Sequence, residues 1–153
     1  MAPPERWRVF LDTNVLIAGL ASRTGASAAI LDLGEAEELL IVLSRQVLVE
    51  ADRTLLAKFP ALIERYRAFI KNLNPLLADD PSASLVKEAA RLIHPNDAPI
   101  LAAAHEERLE YLVTLNTRHF MHPQVRAFLP APIVTPAEFL VVFRAFWERK
   151  SQY

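Results

Sequence analysis

The stretch Arg8-Val-Phe-Leu-Asp-Thr-Asn-Val-Leu-Ile-Ala-Gly-Leu20 decides how the rest of the chain is read. Its opening residues, 8–11, form a short apolar run and read as a buried strand. Asp12-Thr13-Asn14 interrupts that run, and the apolar residues after it read as a helix over 14–20. Working outward, the alternation repeats. A helix over 27–37 precedes Leu39-Leu-Ile-Val-Leu43, a strand with a β-branched centre. Ser44 reads as the cap of a helix over 45–58, and a further helix runs from near Pro60 to about Lys71. A short strand over 73–77 and a helix over 82–92 follow. Asn96 reads as the cap of a helix reaching about Arg108, with Pro99 tolerated in its first turn. Strands are expected at 111–115 and at Ile133-Val134. Thr135, Pro136 and Glu138 then open a last helix with a capping box. Strands alternate with helices and no hairpin signal occurs. The pattern therefore predicts an α/β fold, a three-layer α/β/α arrangement with a central parallel β-sheet.

Composition narrows the chemistry. The chain has 153 residues, 52% hydrophobic and 23% charged, and no stretch long enough to act as a linker, so one domain over 1–153 is expected. There is no cysteine, which removes disulfides, thiolate zinc sites and a cysteine nucleophile, and fits a reducing cytoplasm. The three glycines, at positions 19, 25 and 34, cannot form a G-x-G-x-x-G or P-loop phosphate cradle. No serine lies in a G-x-S-x-G elbow, and the four histidines have no H-E-x-x-H spacing. The apolar runs fall far short of the ~20 residues of a membrane span, and the first seven residues carry no apolar leader core. The net charge of −1 argues against a strongly basic nucleic-acid binder.

In a parallel sheet, ligands bind at the carboxyl ends of the strands. The residues there are Asp12, Thr13 and Asn14 after the first strand, and Asn116, Thr117 and Arg118 after the 111–115 strand. Glu50 lies on the helix after Ser44, and Asp97 at the start of the helix after Pro95. Carboxylates converging without basic partners would repel, and bound Mg²⁺ or Mn²⁺ is the usual resolution for hard oxygen ligands. Each residue also has a plain structural reading. Asp12 is equally a helix cap. Glu50 reads first as a solvated side chain paired with Arg53 or Thr54. Asp97 is favoured by a helix dipole alone, and Asn116 is a common turn residue.

Four segments resemble the motifs of PIN-domain nucleases. Val9-Phe-Leu-Asp-Thr-Asn-Val-Leu-Ile-Ala18 is similar to the family's opening motif. Val42-Leu-Ser-Arg-Gln-Val-Leu-Val-Glu50 is similar to its second strand and acidic helix. Pro95-Asn-Asp-Ala-Pro-Ile-Leu-Ala-Ala-Ala104 is similar to the third acidic motif, and Leu112-Val-Thr-Leu-Asn-Thr-Arg-His-Phe120 to the fourth. Their order and spacing agree over nearly the whole chain, in the manner of toxin components of bacterial toxin–antitoxin pairs.

The resemblance implies that Asp12, Glu50 and Asp97 bind metal, that Asn14 helps organise the site, and that Asn116 stands where many relatives carry a fourth aspartate. His94 stands where many carry a further acid, so both positions lower the local negative charge. The implied function is endoribonuclease: Mg²⁺ or Mn²⁺ on the three acids polarises the phosphate and activates a water. Thr114 and Thr117 are expected to orient water or phosphate, and Arg118 and Arg23 to grip the backbone. The implied partners are an RNA substrate, a cognate antitoxin and a second copy in a homodimer, with helical faces over 61–70 and 139–147 as candidate surfaces. Two alternatives stay open: a catalytically degenerate PIN domain that only binds RNA or protein, and a PIN nuclease of RNA processing without an antitoxin. Setting Asp12, Glu50 and Asp97 aside leaves 15 of the 18 acids against 17 bases, so the rest of the surface is +2 and compatible with RNA.

Overall fold

The computed structural model describes residues 6–152. Residues 1–5, most of the segment read as lacking a leader core, lie outside the described residues. Five strands, β1 (Trp7–Leu11), β2 (Leu39–Leu43), β3 (Leu76–Leu77), β4 (Tyr111–Val113) and β5 (Ile133–Val134), make one sheet in the order β3-β2-β1-β4-β5. Every pairing is parallel, with Phe10 opposite both Val42 and Leu112. The α/β/α architecture read from the sequence is the one observed.

The helices are α1 (Thr13–Ala21), α2 (Ala26–Glu35), α3 (Arg45–Lys58), α4 (Ile63–Leu73), α5 (Ala83–Ala90), α6 (Ala98–Glu106), α7 (Thr117–Phe120), α8 (Pro123–Phe128) and α9 (Pro136–Lys150). Their interior faces cover a core built from Phe10, Leu11, Leu16, Ile41, Leu43, Leu101, Phe120 and Phe139, all fully buried or nearly so. Helix α6 turns Ala102, Ala103 and Ala104 inward, and these small side chains let its backbone approach its neighbours closely. At Gly19 a Cβ would run into the Leu31 side chain, which would have to shift, so the glycine lets α1 and α2 pack closely. Trp7 is spent on packing, against Tyr111, Phe139, Phe143 and Phe146. Among the described residues no single helix is long and apolar enough to cross a membrane. Helices α1 and α2 together reach the length, but they bend by 92° and bury most of their apolar side chains in the core.

Local chemistry sets the boundaries. Ser44 Oγ accepts from the Val47 N–H at 3.2 Å and starts α3 as expected. Thr135 and Glu138 form the expected capping box. The strand expected over 73–77 is shorter, because Leu73 still belongs to α4 and Asn74 closes that helix at φ 48°, a left-handed conformation that asparagine tolerates. The cap expected at Asn96 moves one residue on. Asp97 and Ala98 both donate their N–H to the His94 carbonyl, so a turn precedes α6 and Asp97 holds the cap position. Strand β4 stops two residues early, at Val113. Helices α7 and α8 have no counterpart in the sequence reading. Each is short, and each carries a start signal, Asn116 capping the first and Pro123 opening the second.

Candidate functional site

The strand order places the site. From β1 the chain moves outward through β2 and β3, then returns to the other side of β1 for β4 and β5. The reversal lies between the paired strands β1 and β4, where the connections of an open α/β sheet diverge and leave a crevice outside the strands' carboxyl ends. Asp12 follows β1 at that crevice and Thr114 follows β4. The Asp12 N–H donates to the Val113 carbonyl at 3.0 Å, which locks the two strand ends together.

A cavity of about 300 Å³ opens above these ends, lined by Asp12, Thr13, Asn14, Gln46, Glu50, Arg53, Thr54, Asn96, Asp97 and Asn116. The structure therefore brings Asp12, Asn14, Glu50, Asp97 and Asn116 to one place from four separate segments. Asp12 is 5% exposed. Its Oδ1 accepts from the Thr13 N–H at 2.8 Å, and its Oδ2 accepts from Thr114 Oγ1 at 2.8 Å. So Asp12 caps α1 and also lines the cavity, with one oxygen bonded to the Thr13 N–H and the other to Thr114. Burial raises the Asp12 pKa most; the bonds from Thr114 and Thr13 oppose the rise, and the charges of Asp97 and Glu50 add to it.

Glu50 is held from two sides. Thr13 Oγ1 donates to Oε2 at 3.0 Å and Gln46 Nε2 donates to Oε1 at 3.2 Å. The expected pairing with Arg53 or Thr54 is not the one formed, although both side chains line the cavity. Asp97 is held through Oδ2, which meets His119 Nδ1 at 2.7 Å and the Asn116 amide at 3.4 Å. Asn116 Oδ1 in turn accepts from the His119 N–H at 3.2 Å and caps α7.

Other expected residues fall differently. Thr114 is fully buried and its hydroxyl is spent on Asp12 and on the Asn116 N–H, so it braces the site from beneath and does not face substrate. Arg118 and Arg23 are exposed and neither lines the cavity, whereas Arg53 does. The sequence reading gave no role to Thr13, Gln46 or His119. The spacing of Gln46 and Glu50, four apart on α3, is the one local signal that was available.

The donor set suits a hard divalent cation. Among the described residues no lysine or arginine forms an ion pair with Asp12 or Glu50. Among the described residues no three His, Cys, Asp or Glu side chains converge closely enough to grip an ion alone. Mg²⁺ rarely asks for that: it keeps several waters and is held by one or two carboxylates together with substrate phosphates. A buried carboxylate facing two others across a polar cavity meets this requirement.

The model of the PIN domain matches residues 8–118. The chain belongs to the PIN domain family. PIN domains are generally nucleases that use divalent metal ions. Several solved structures share this PIN fold. VapBC from Salmonella typhimurium, determined bound to DNA, aligns at a TM-score of 0.64 with 21% identity, over 85% of this chain and 98% of that one. PAE2754 from Pyrobaculum aerophilum aligns at 0.63 with 17% identity, over 91% and 96%. VapBC2 from Rickettsia felis, bound to a fragment of its promoter DNA, aligns at 0.61 with 19% identity, over 83% and 96%. No curated protein matches the sequence.

Proposed function

We propose that this single-domain PIN protein is a cytoplasmic, Mg²⁺- or Mn²⁺-dependent endoribonuclease and the toxin of a toxin–antitoxin pair. The observation that carries the reading is the gathering of Asp12, Glu50 and Asp97 around one cavity at the carboxyl ends of β1 and β4. Asp12, Glu50 and Asp97 would hold the ion, which when bound supplies charge neutralisation at the phosphate and a water of lowered pKa. Thr114 donates to Asp12 and works against the rise in its pKa that burial brings. Thr13 and Gln46 fix the Glu50 carboxylate, and His119 fixes that of Asp97. Asn14 and Arg53 line the mouth, where Arg53 can meet a backbone phosphate. The likeness to VapBC assemblies supports a cognate antitoxin, and the apolar side chains left exposed on α9, Val141 and Trp147, offer surface to an antitoxin or a second copy. The test is cleavage of RNA by purified protein with Mg²⁺ or Mn²⁺. Loss with EDTA and in Asp12→Asn is expected; cleavage that survives Asp12→Asn places the chemistry elsewhere.

One observation favours a second reading, a PIN domain that binds without cutting. His119 and Asn116 both engage Asp97 Oδ2, one of the oxygens an ion would need. Calorimetric titration with Mn²⁺ separates the two. Binding that disappears in Asp97→Asn supports the enzyme, and no binding at millimolar Mn²⁺ supports the module.

A further inference from the structure

Beside the acidic cavity lies a second one of about 280 Å³, lined by Arg91, Leu92, Ile93, His94, His119 and His122. The two differ in charge. Three carboxylates and Arg53 line the first, while one arginine and three imidazoles line the second and no carboxylate does. The pair Asp97–His119 stands between them, its 2.7 Å contact joining the acidic wall to the imidazole wall.

The donors of the second cavity are set by their neighbours. His94 Nδ1 accepts from the Asn96 N–H at 3.1 Å, so in the neutral ring the proton sits on Nε2, as a donor. His122 carries at least one N–H in either protonation state, and Arg91 is always charged. The His94 and His119 rings lie nearly parallel, 5.4 Å between centroids and 5° between planes. A base held between them would need about 7 Å, twice the ~3.4 Å rise of stacked bases. The pair is therefore too close to clamp a base, and its walls offer N–H groups to an anion.

We propose that Arg91, His94 and His122 form a subsite for the phosphate next to the one being cut. The proposal rests on the nuclease reading of the acidic cavity and assigns the strand its direction of exit, across His119. A strand that has its scissile phosphate at the three acids and leaves across His119 carries its next phosphate past the Asp97–His119 wall towards the second cavity. The subsite makes the protein a reader of backbone at that step, so it adds affinity without base preference.

The test uses a fluorescent single-stranded RNA of ten nucleotides, with each internal phosphate replaced in turn by an uncharged methylphosphonate. Affinity is measured by anisotropy with Ca²⁺ in place of Mg²⁺ or Mn²⁺, so that the three acids are neutralised, and electrophoresis confirms that the RNA stays intact. For the wild-type protein one replacement should weaken binding about tenfold. In Arg91→Ala/His122→Ala, whose altered residues are both exposed, the same replacement should cost nothing, and the salt dependence should flatten by about one phosphate contact. Equal losses in both proteins, no sensitive position, or no binding to the wild type each overturn the subsite. The nuclease reading fails separately: Arg91-dependent binding without cleavage in Mg²⁺ or Mn²⁺ removes the enzyme and keeps the subsite. Cleavage indifferent to Arg91, His94 and His122 does the reverse.

Discussion

Thr114 Oγ1 donates a 2.8 Å hydrogen bond to Asp12 Oδ2, joining two residues 102 positions apart across the gap between β1 and β4. Both are buried. A buried carboxylate resists ionisation, and this bond to the charged form is the largest influence working the other way. A threonine that does not line the cavity thus opposes, without cancelling, the effect of burial on the acid that does.

Thr114→Val keeps the shape and removes the donor. Asp12 should then hold its proton to higher pH, so the acidic limb of the rate–pH profile moves upward while the plateau is recovered at alkaline pH. Stability should fall by about 1–2 kcal/mol, because the Asn116 N–H also loses its acceptor. Thr114→Ser should restore the profile. A Thr114→Val profile that overlays the wild type would show that Asp12 ionisation does not limit the reaction.

Asp12→Asn is expected to separate stability from activity. The folded-state pKa of Asp12 lies above its unfolded value, so the folded protein binds the proton more tightly. Stability contributed by Asp12 is therefore full at low pH and is lost as pH rises from the unfolded value of about 3.9 through the folded one. At pH 7 without metal, the neutral asparagine escapes that loss. Asp12→Asn should melt a few degrees above the wild type in EDTA, the gap closing below about pH 4, while cleavage disappears. Equal melting at pH 7 would mean that the burial of Asp12 is already compensated.

Divalent metal should reverse that order. An ion at a hundred times its Kd stabilises the fold that binds it by about 2.7 kcal/mol. Mn²⁺ should raise the melting temperature of the wild type and leave Asp97→Asn unmoved. In that variant the amide oxygen still accepts from His119, so the loss reports charge rather than a collapsed wall. A Mn²⁺ response that persists in Asp97→Asn would remove Asp97 from the ion's reach.

How far the sequence discloses all this depends on the range of the interactions. Strands β1 and β2, the Ser44 cap and the Thr135–Glu138 box follow from residues at most a few positions apart, and they appear where the pattern puts them. Asp12 was legible as cap and as site residue because the same carboxylate caps α1 and lines the cavity. The braces were not legible. Thr13 and Glu50 are 37 apart, Asp97 and His119 are 22 apart, and no periodicity links either pair. Their meeting depends on strand order and on α7, a single turn too short for a helical pattern to show. Asn96 and Asp97 were exchanged as cap because both residue types favour that position and only the turn at His94 separates them.

Asn116→Asp brings the two roles of that position into opposition. The asparagine amide donates towards Asp97 Oδ2 at 3.4 Å, and its oxygen caps α7 through the His119 N–H at 3.2 Å. Aspartate keeps the cap acceptor, loses the donor, and sets a fourth negative charge against Asp97. Without metal the fold should lose about 1 kcal/mol, the worth of a hydrogen bond, and the added repulsion can only deepen that loss. With metal the same charge attracts the ion, and Mn²⁺ affinity should rise about tenfold, equivalent to ~1.4 kcal/mol. One substitution therefore lowers melting in EDTA and tightens binding in calorimetry. If melting falls while Mn²⁺ affinity stays unchanged, Asn116 serves α7 and Asp97 alone, and the ion sits nearer Asp12 and Glu50.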